Sequence, residues 1–404
     1  MAGRSSGSPR GATRPEVSRR VLHATQPVDG GVARVVTELV RAQRAVGLDL
    51  TVACPDGELR QALGKLGADV RHWPATRAPG PALASGVLRL ARLVEQVRPD
   101  VLQAHSAKAG LAARLAVRGR IPTVFQPHAW SFEAVGGLTA AVATAWERWA
   151  ARWTTHVVCV SKAEHARGEQ AGVHARWRVI PNNIDPERFH PAAVGAARPA
   201  LAPLADLDPA ALLVVCVGRL CRQKGQDVLL QAWSSVQRRV PGARLALVGN
   251  GPQKRPLRSR APKGVLFTGA VADTVPWYQA ADVVVLPSRW EGMALAPLEA
   301  MACGRPTVVT NVAGARESLP PDHGAHCLVP AGQPGPLADA LTRMLLDPPL
   351  RESLGDQGRR HVLAAHNVRH SADAVTDLYL ELLDARRTVT HRAEPTECRE
   401  SIRS

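Results

Sequence analysis

The chain has 404 residues, with 51 Lys and Arg against 35 Asp and Glu, a formal net charge of +16 and 45% hydrophobic residues. That length predicts two or three domains, with ample material for two cores, and the absence of any run of about 18 apolar residues excludes a membrane-spanning helix. Seven scattered cysteines, odd in number and without zinc-like spacing, exclude a disulfide framework and a zinc site and fit a reducing cytoplasm.

Residues 1–18 are rich in Gly, Ser, Pro and Arg and lack the apolar core of a signal peptide, so they read as a disordered basic tail. Residues 19–200 repeat a strand–helix rhythm. Strands are expected at Arg20–Thr25, Leu50–Ala53, Val70–Trp73, Val101–Ser106, Thr123–Gln126, His156–Ser161 and Arg178–Pro181. Helices are expected at Val32–Val46, Leu83–Val97, Ala109–Arg118 and Leu138–Trp153. On the last of these, Trp146, Trp149 and Trp153 share one face and read as a core-packing stripe, with an exposed aromatic stripe touching lipid or a partner as the alternative. A Pro- and Ala-rich link, Pro191–Pro209, marks a domain boundary. A second alternating block fills 201–370, a last helix covers 371–387, and 388–404 reads as another disordered tail. Strands alternating with helices throughout argue for an α/β chain with parallel sheets.

Several turns carry candidate chemistry. Gly30-Gly31 follows the first strand and opens a helix, where backbone amides can approach an anion. His105-Ser106-Ala107-Lys108 lies at a strand-to-helix turn, and His128 follows a strand end. In the second block, Leu213–Arg219 reads as a strand emptying into Leu220–Gly225, which puts Arg219 and Lys224 at a strand's carboxyl end, and the forked and the point cation together suit a diphosphate. The turn around Asn250 and the end of Val265–Gly269 are glycine-rich and let a ligand approach the backbone. Finally Glu291-Gly-Met-Ala-Leu-Ala-Pro-Leu-Glu299 spans a strand-to-helix turn. One carboxylate can accept from sugar hydroxyls and the other from a ribose, while the intervening amides hold phosphate.

The block from Gly218 to Arg316, with its Arg and Lys after the first strand and its Glu-x7-Glu, resembles the nucleotide-sugar half of the retaining family 4 glycosyltransferases of GT-B fold. Met293 and Ala294 depart from the Phe and Gly or Ser frequent there. The resemblance implies two Rossmann-like parallel-sheet domains facing a central cleft, with a C-terminal helix crossing back to the first. It implies that Arg219 and Lys224 bind the donor diphosphate, that Glu299 binds the ribose and that Glu291 holds the transferred sugar. Gly31, Asn250, Gly292, Met293, Ala294 and Leu295 would also line the donor, and Val271 or Ala272 would touch the base through backbone atoms. His128 would stand beside the donor sugar, although Ala129 replaces the usual following Gly. Gly30, His105, Ser106 and Lys108 fall on the acceptor side, and the His-Ser-x-Lys-Ala-Gly run is similar to the subgroup that builds exopolysaccharide and lipopolysaccharide on lipid carriers. Val160-Ser161-Lys162 and Ile180–Asp185 match the cleft wall and the interdomain turn.

The expected activity is therefore transfer of a hexosyl or N-acetylhexosaminyl group to a lipid-linked or saccharide acceptor, without a metal or other cofactor. A soluble small-molecule acceptor is the alternative. A non-catalytic nucleotide-sugar binder could dispense with His128 and Glu291, and an epimerase is disfavoured by the motif order. Nucleic acid is not an expected partner, since no zinc finger, aromatic-rich RNA-binding strand or helix-turn-helix is present. The arginines of the tail, Arg89, Arg92, Arg98 and the run Lys108–Arg120 instead point to an anionic membrane surface, with a solvated arginine-rich surface as the alternative. The implied location is the cytoplasm, peripheral on the inner face of the plasma membrane.

Overall fold

The computed structural model describes residues 19–75, 82–205, 207, 208 and 210–392. The basic N-terminal tail and residues 393–404 lie outside them. Among the described residues, thirteen strands form two wholly parallel sheets. The first comprises β1 (Arg20–Thr25), β2 (Asp49–Cys54), β3 (Asp69–His72), β4 (Val101–His105), β5 (Thr123–Gln126), β6 (His156–Cys159) and β7 (Trp177–Val179), in the order β3-β2-β1-β4-β5-β6-β7. The second comprises β8 (Leu213–Val217), β9 (Arg244–Val248), β10 (Val265–Gly269), β11 (Val283–Leu286), β12 (Thr307–Thr310) and β13 (Leu328–Val329), in the order β10-β9-β8-β11-β12-β13.

Both sheets are covered on each face, which is why their strands read as near-continuous apolar runs. Period-two alternation divides the first sheet. Val21, Val52, Val101, Val124 and Val158 face one cluster, while Leu22, Ala53, Leu102, Phe125 and Cys159 face the other. The first cluster is completed by the helix Val368–Arg392, whose Val375, Leu378, Tyr379 and Leu382 recur at helical spacing and pack against the first domain. In the second sheet, Val214, Leu247 and Val284 share one core with Trp233, Tyr278, Leu298 and Leu341 from the covering helices. The chain passes between sheets twice, at residues 180–185 and 366–368. There Ile184 donates to His366 and Val368 donates to Ile184, each at 3.0 Å.

Strand order reverses at β1/β4 in the first sheet and at β8/β11 in the second. Ligands of open α/β sheets bind beyond the strand carboxyl ends at such reversals, and here the two reversals face one another. Loops after β1, β5, β8 and β11 therefore meet in a single cleft.

The structure corrects several expectations. Helices Glu58–Lys65 and Lys162–Gln170 form where none was expected, and the Pro/Ala-rich link holds short turns at Val194–Ala197 and Ala202–Leu204. The last helix continues through Arg392 rather than stopping at 387, since neither Gly nor Pro interrupts 385–392. The tryptophan stripe is not core: Trp149 is 43% exposed, and Trp146 and Trp153 are half-buried. The buried face of their helix, Gly137–Ala150, is instead set by Glu147 and Ala150.

Glu147 explains a further correction. Arg114, expected on a basic surface, is fully buried and pairs with Glu147 at 2.8 Å, its guanidinium lying 4.1 Å from the Phe125 ring centroid. Removing one member of such a pair strands the other in a dry interior, so Arg114→Ala should cost about 3–5 kcal/mol in urea unfolding. Arg114→Met combined with Glu147→Leu should recover most of that loss. A single-variant loss below about 1 kcal/mol, the size typical of surface pairs, would contradict this account.

Candidate active site

The site begins where β8 ends. After Gly218 the chain turns through Arg222–Lys224 to Gly225, whose φ is +65° and whose added Cβ would fall 2.0 Å from the Pro287 carbonyl oxygen. Only glycine fits that approach, and it presses the Lys224 turn onto the loop after β11. Lys224 Nζ thereby lies 2.6 Å from Glu291 Oε1, which also accepts from Ser288 Oγ at 2.7 Å. The two residues expected to bind diphosphate and sugar separately are thus paired with each other.

Glu299 sits on the second turn of helix Leu295–Ala302 and is almost fully buried. Tyr278 donates its hydroxyl to Oε2 at 2.6 Å. Arg34, from helix Gly30–Ala45 of the first domain, pairs with Oε1. The Glu299 charge raises the Arg34 pKa above its ordinary value, and burial foremost raises that of Tyr278. Gly31 faces the same helix, its added Cβ 3.6 Å from Leu295 Cδ1. Ala294 offers this helix no side-chain cap, so its first amides remain open to an anion.

These groups enclose a cleft of about 260 Å³ lined by Gly30, Gly31, His128, Arg219, Lys224, Glu291, Met293, Ala294, Leu295 and Glu299. It shares Arg34, Gly218 and Arg219 with a second lobe of about 530 Å³, which reaches Asn250 and Val271. Ala272 is exposed and does not line that lobe.

Gly292 does not face the cleft as expected. Its added Cβ would fall 2.8 Å from Val160 Cγ2, 2.9 Å from Glu164 Oε1 and 3.1 Å from the His128 carbonyl carbon, and its carbonyl accepts from Ser161 Oγ at 3.1 Å. It is a contact between domains, and glycine is required there by space. Asn182 donates to the Met293 carbonyl at 2.7 Å, and Glu317 accepts from the amides of Lys162 and Ala163 at 2.7 and 2.8 Å. The domains are therefore joined around the cleft rather than standing open.

On the acceptor side, only Gly30 of the four expected residues lines the cleft. His105 is fully buried because its side chain follows the face of β4 that meets the crossing helix, and it lies between His23 and His128. Ser106 and Lys108 are half-buried outside the cleft, and burial lowers the Lys108 pKa. Sequence reasoning missed Arg34, Tyr278 and Ser288, whereas Asn182 falls in the stretch Ile180–Asp185 matched to the interdomain turn. Ser288, three residues before Glu291, had a local signal; Arg34 and Tyr278 reach the site only through the tertiary fold.

Two parallel-sheet domains meeting at their reversal points, with fixed cations and paired glutamates between them, make a GT-B architecture. Residues 211–347 match the family described as Glycosyl transferases group 1, and residues 29–188 match Glycosyltransferase Family 4. The chain is 34% identical over 312 residues to the GDP-mannose-dependent alpha-(1-6)-phosphatidylinositol monomannoside mannosyltransferase of Mycobacterium tuberculosis H37Rv, covering 73% of this chain and 78% of that one. It is 31% identical over 367 residues to the D-inositol 3-phosphate glycosyltransferase of Actinosynnema mirum, covering 81% and 86%. The structure of Anabaena HepE with UDP and glucose shares the fold, with a TM-score of 0.77 at 21% identity over 90% of this chain and all of that one. The chain belongs to the group 1, family 4 glycosyltransferases and is a glycosyltransferase.

The buried histidines make stability pH-dependent. Burial lowers His23 from 6.5 to about 4 and His128 to about 3, and it carries His105 well below its ordinary value. Below pH 6.5 the unfolded chain takes up protons that the folded chain refuses, so this stability is complete above 6.5 and is lost as pH falls toward 4. His23 alone accounts for about 3 kcal/mol over that window. Glu164, pushed up to about 7 by burial, acts oppositely, losing stability as pH rises from 4.5. Three imidazoles outweigh one carboxyl, so urea unfolding should give a higher free energy at pH 6.5 than at 4.5. A flat or inverted dependence would contradict neutral burial of the histidines.

Proposed function

We propose that the enzyme moves a hexosyl or N-acetylhexosaminyl group from a nucleoside-diphosphate sugar to a hydroxyl of a lipid-linked or saccharide acceptor, with retention at the anomeric carbon and without a metal or other cofactor. The observation that carries this reading is the convergence of Arg219, Lys224 and an uncapped helix N-terminus on one cleft, with Glu291 and Glu299 beside them. Negative charge grows on the departing diphosphate, and preorganised donors aimed at it lower the barrier most. His128 and Glu291 hold the sugar, and Glu299 exchanges Arg34 for the ribose hydroxyls. The acceptor oxygen bonds to the anomeric carbon on the face from which the phosphate oxygen leaves, and that oxygen takes the acceptor proton. Product analysis with a panel of UDP-, GDP-, ADP- and dTDP-sugars tests the reading. Failure to transfer from any of them, together with no nucleoside diphosphate binding, would overturn it.

Two kinds of variant separate the roles. Arg219→Ala or Lys224→Ala should lose about 2–4 kcal/mol of transition-state stabilisation, with folding preserved; wild-type turnover by Arg219→Ala would remove the diphosphate assignment. Glu299→Ala should weaken binding of the bare nucleoside diphosphate, whereas Glu291→Ala should spare it and lower transfer. Equal loss of nucleotide affinity in both would refute that division.

A lipid-linked acceptor is supported by the phosphatidylinositol monomannoside named for the mycobacterial relative. A soluble acceptor is the second reading, favoured by the D-inositol 3-phosphate of the other relative. An outward apolar stripe favours the lipid. Leu138 (82% exposed), Val142 (62%) and Trp149 lie along one face of helix Gly137–Ala150, and Arg89, Arg92, Arg118 and Arg120 are exposed on the same domain. Among the described residues no helix is long and apolar enough to cross a membrane, so attachment in this reading is peripheral, on the anionic inner face of the plasma membrane. Flotation should recover the protein with anionic vesicles and lose it with added salt or with Leu138→Glu, Val142→Glu. Equal recovery with neutral vesicles, unchanged by salt, would remove the membrane.

A further inference from the structure

His128 is the cleft end of a buried line of four side chains. Gln43 Oε1 lies 2.9 Å from His23 Nε2, His23 Nδ1 lies 3.1 Å from His105 Nε2, and His105 Nδ1 lies 3.2 Å from His128 Nε2. The rings stack in sequence, with centroids 5.4 and 5.5 Å apart. Gln43 belongs to helix Gly30–Ala45, His23 to β1, His105 to the end of β4, and His128 to the loop after β5. The first three are fully buried. Tyr379 of the crossing helix lies against His23, 6.2 Å between ring centroids.

A neutral imidazole has one N–H and one lone pair. Each nitrogen–nitrogen contact along the line therefore holds a single proton, because two N–H groups or two lone pairs cannot face each other at such distances. With all three rings neutral, only two arrangements exist for the whole line, and fixing one ring fixes the others. Gln43 is oriented with its carbonyl oxygen toward His23, and in that orientation the oxygen can only accept, so His23 carries its proton on Nε2. His105 and then His128 must do the same. His128 Nδ1 is left as a lone pair on a residue that lines the cleft with Glu291.

We propose that Gln43, His23 and His105 are positioning residues that fix His128 as the Nε2-protonated tautomer, so that its Nδ1 accepts from a hydroxyl of the donor sugar. This rests on the reading of His128 as a donor-sugar contact. The tautomer a histidine presents is set by the partner of its other nitrogen, and here that partner is relayed from a helix on the far side of β1. Burial disfavours protonation of all three rings, which closes the alternative in which a doubly protonated imidazole reverses the line midway. The backbone fixes the last ring as well: His128 and Ala129 have φ values of +58° and +128°, conformations an L-residue adopts only when its surroundings impose them.

Long-range 15N–1H correlation on the full chain labelled at histidine reads the tautomers without any substrate. All three rings should show the Nε2-protonated pattern. Gln43→Leu removes the carbonyl and should move all three toward averaged ring shifts. His105→Phe keeps a ring in the stack but cuts the line, so His23 should keep its pattern while His128 alone averages. Nucleoside diphosphate release from GDP-mannose or UDP-glucose, whichever is turned over, should fall about ten- to a hundredfold in kcat in both variants. Affinity for GDP or UDP should stay within about twofold, which separates this effect from general damage to the cleft. An Nδ1-protonated His128 in the wild-type chain, or an unchanged His128 pattern in both variants, would overturn the proposal. Altered tautomers with unchanged kcat would overturn the positioning role. If neither these donors nor any other UDP-, GDP-, ADP- or dTDP-sugar is turned over and no nucleoside diphosphate binds, the sugar-transfer reading is what fails, and the spectra still decide the proton line.

Discussion

A carboxylate with 1% of its side chain exposed must find partners, and Glu299 takes them from both domains. Tyr278 comes from helix Val275–Ala280 of the same domain, whereas Arg34 comes from the helix that opens at Gly30 and Gly31. That ion pair draws the uncapped end of helix Leu295–Ala302 against the glycine turn after β1. The neighbouring contacts follow the same seam: Ser161 to the Gly292 carbonyl, Asn182 to the Met293 carbonyl and Glu317 to the amides of Lys162 and Ala163. Around this seam lie three cations, Arg34, Arg219 and Lys224, and the two glutamates Glu291 and Glu299, with Asp29 a further carboxylate of the lining. Both glutamates are already matched, so an anionic ligand that draws a cation away must offer hydroxyls to the glutamate it leaves. A nucleoside diphosphate sugar has both kinds of group.

The sheets were legible because parallel strands covered on both faces are written as Val- and Leu-rich runs, and every expected strand forms. The second-domain half of the cleft was legible for a related reason. A strand end, a glycine turn and a helix start are contiguous in sequence, so Arg219, Lys224, Glu291 and Glu299 could be placed from local pattern. What stayed hidden depends on which way a side chain points. His105 ends a strand, as a cleft residue would, but period-two alternation aims it at the crossing helix. Gly292 reads as a phosphate turn, yet Val160, Glu164 and His128 occupy the space beyond it. Helix Lys162–Gln170 carries almost no apolar face and forms because Ser161 caps it by accepting from the Glu164 amide, with Glu317 supporting it from the other domain. Arg34 looked like any other arginine on an amphipathic helix.

The basic composition is also less of a surface property than the net charge of +16 suggests. Arg114 is spent on Glu147 in the first-domain interior, and Arg198 joins Asp282 and the Ala211 and Ala280 carbonyls in the second. Arg289 forks onto Asp227 at 2.7 and 2.6 Å, which ties the β11 loop to helix Gln226–Arg239 just behind Lys224. A guanidinium suits these places because its planar fork satisfies several acceptors at once. Arg89, Arg92, Arg98, Arg118 and Arg120 remain exposed on the first domain, whereas Arg114 is buried and Lys108 half-buried, so the expected basic run Lys108–Arg120 is not a continuous surface feature.

The central claim is that the facing reversal points of the two sheets read a diphosphate. Calorimetric titration of the full chain with UDP and GDP against UMP and GMP tests it most directly. Charge-assisted contacts from Arg219 and Lys224 to the second phosphate predict that at least one diphosphate binds about tenfold or more tighter than its monophosphate. Equal affinities within each pair, or no binding of any of the four, would contradict it.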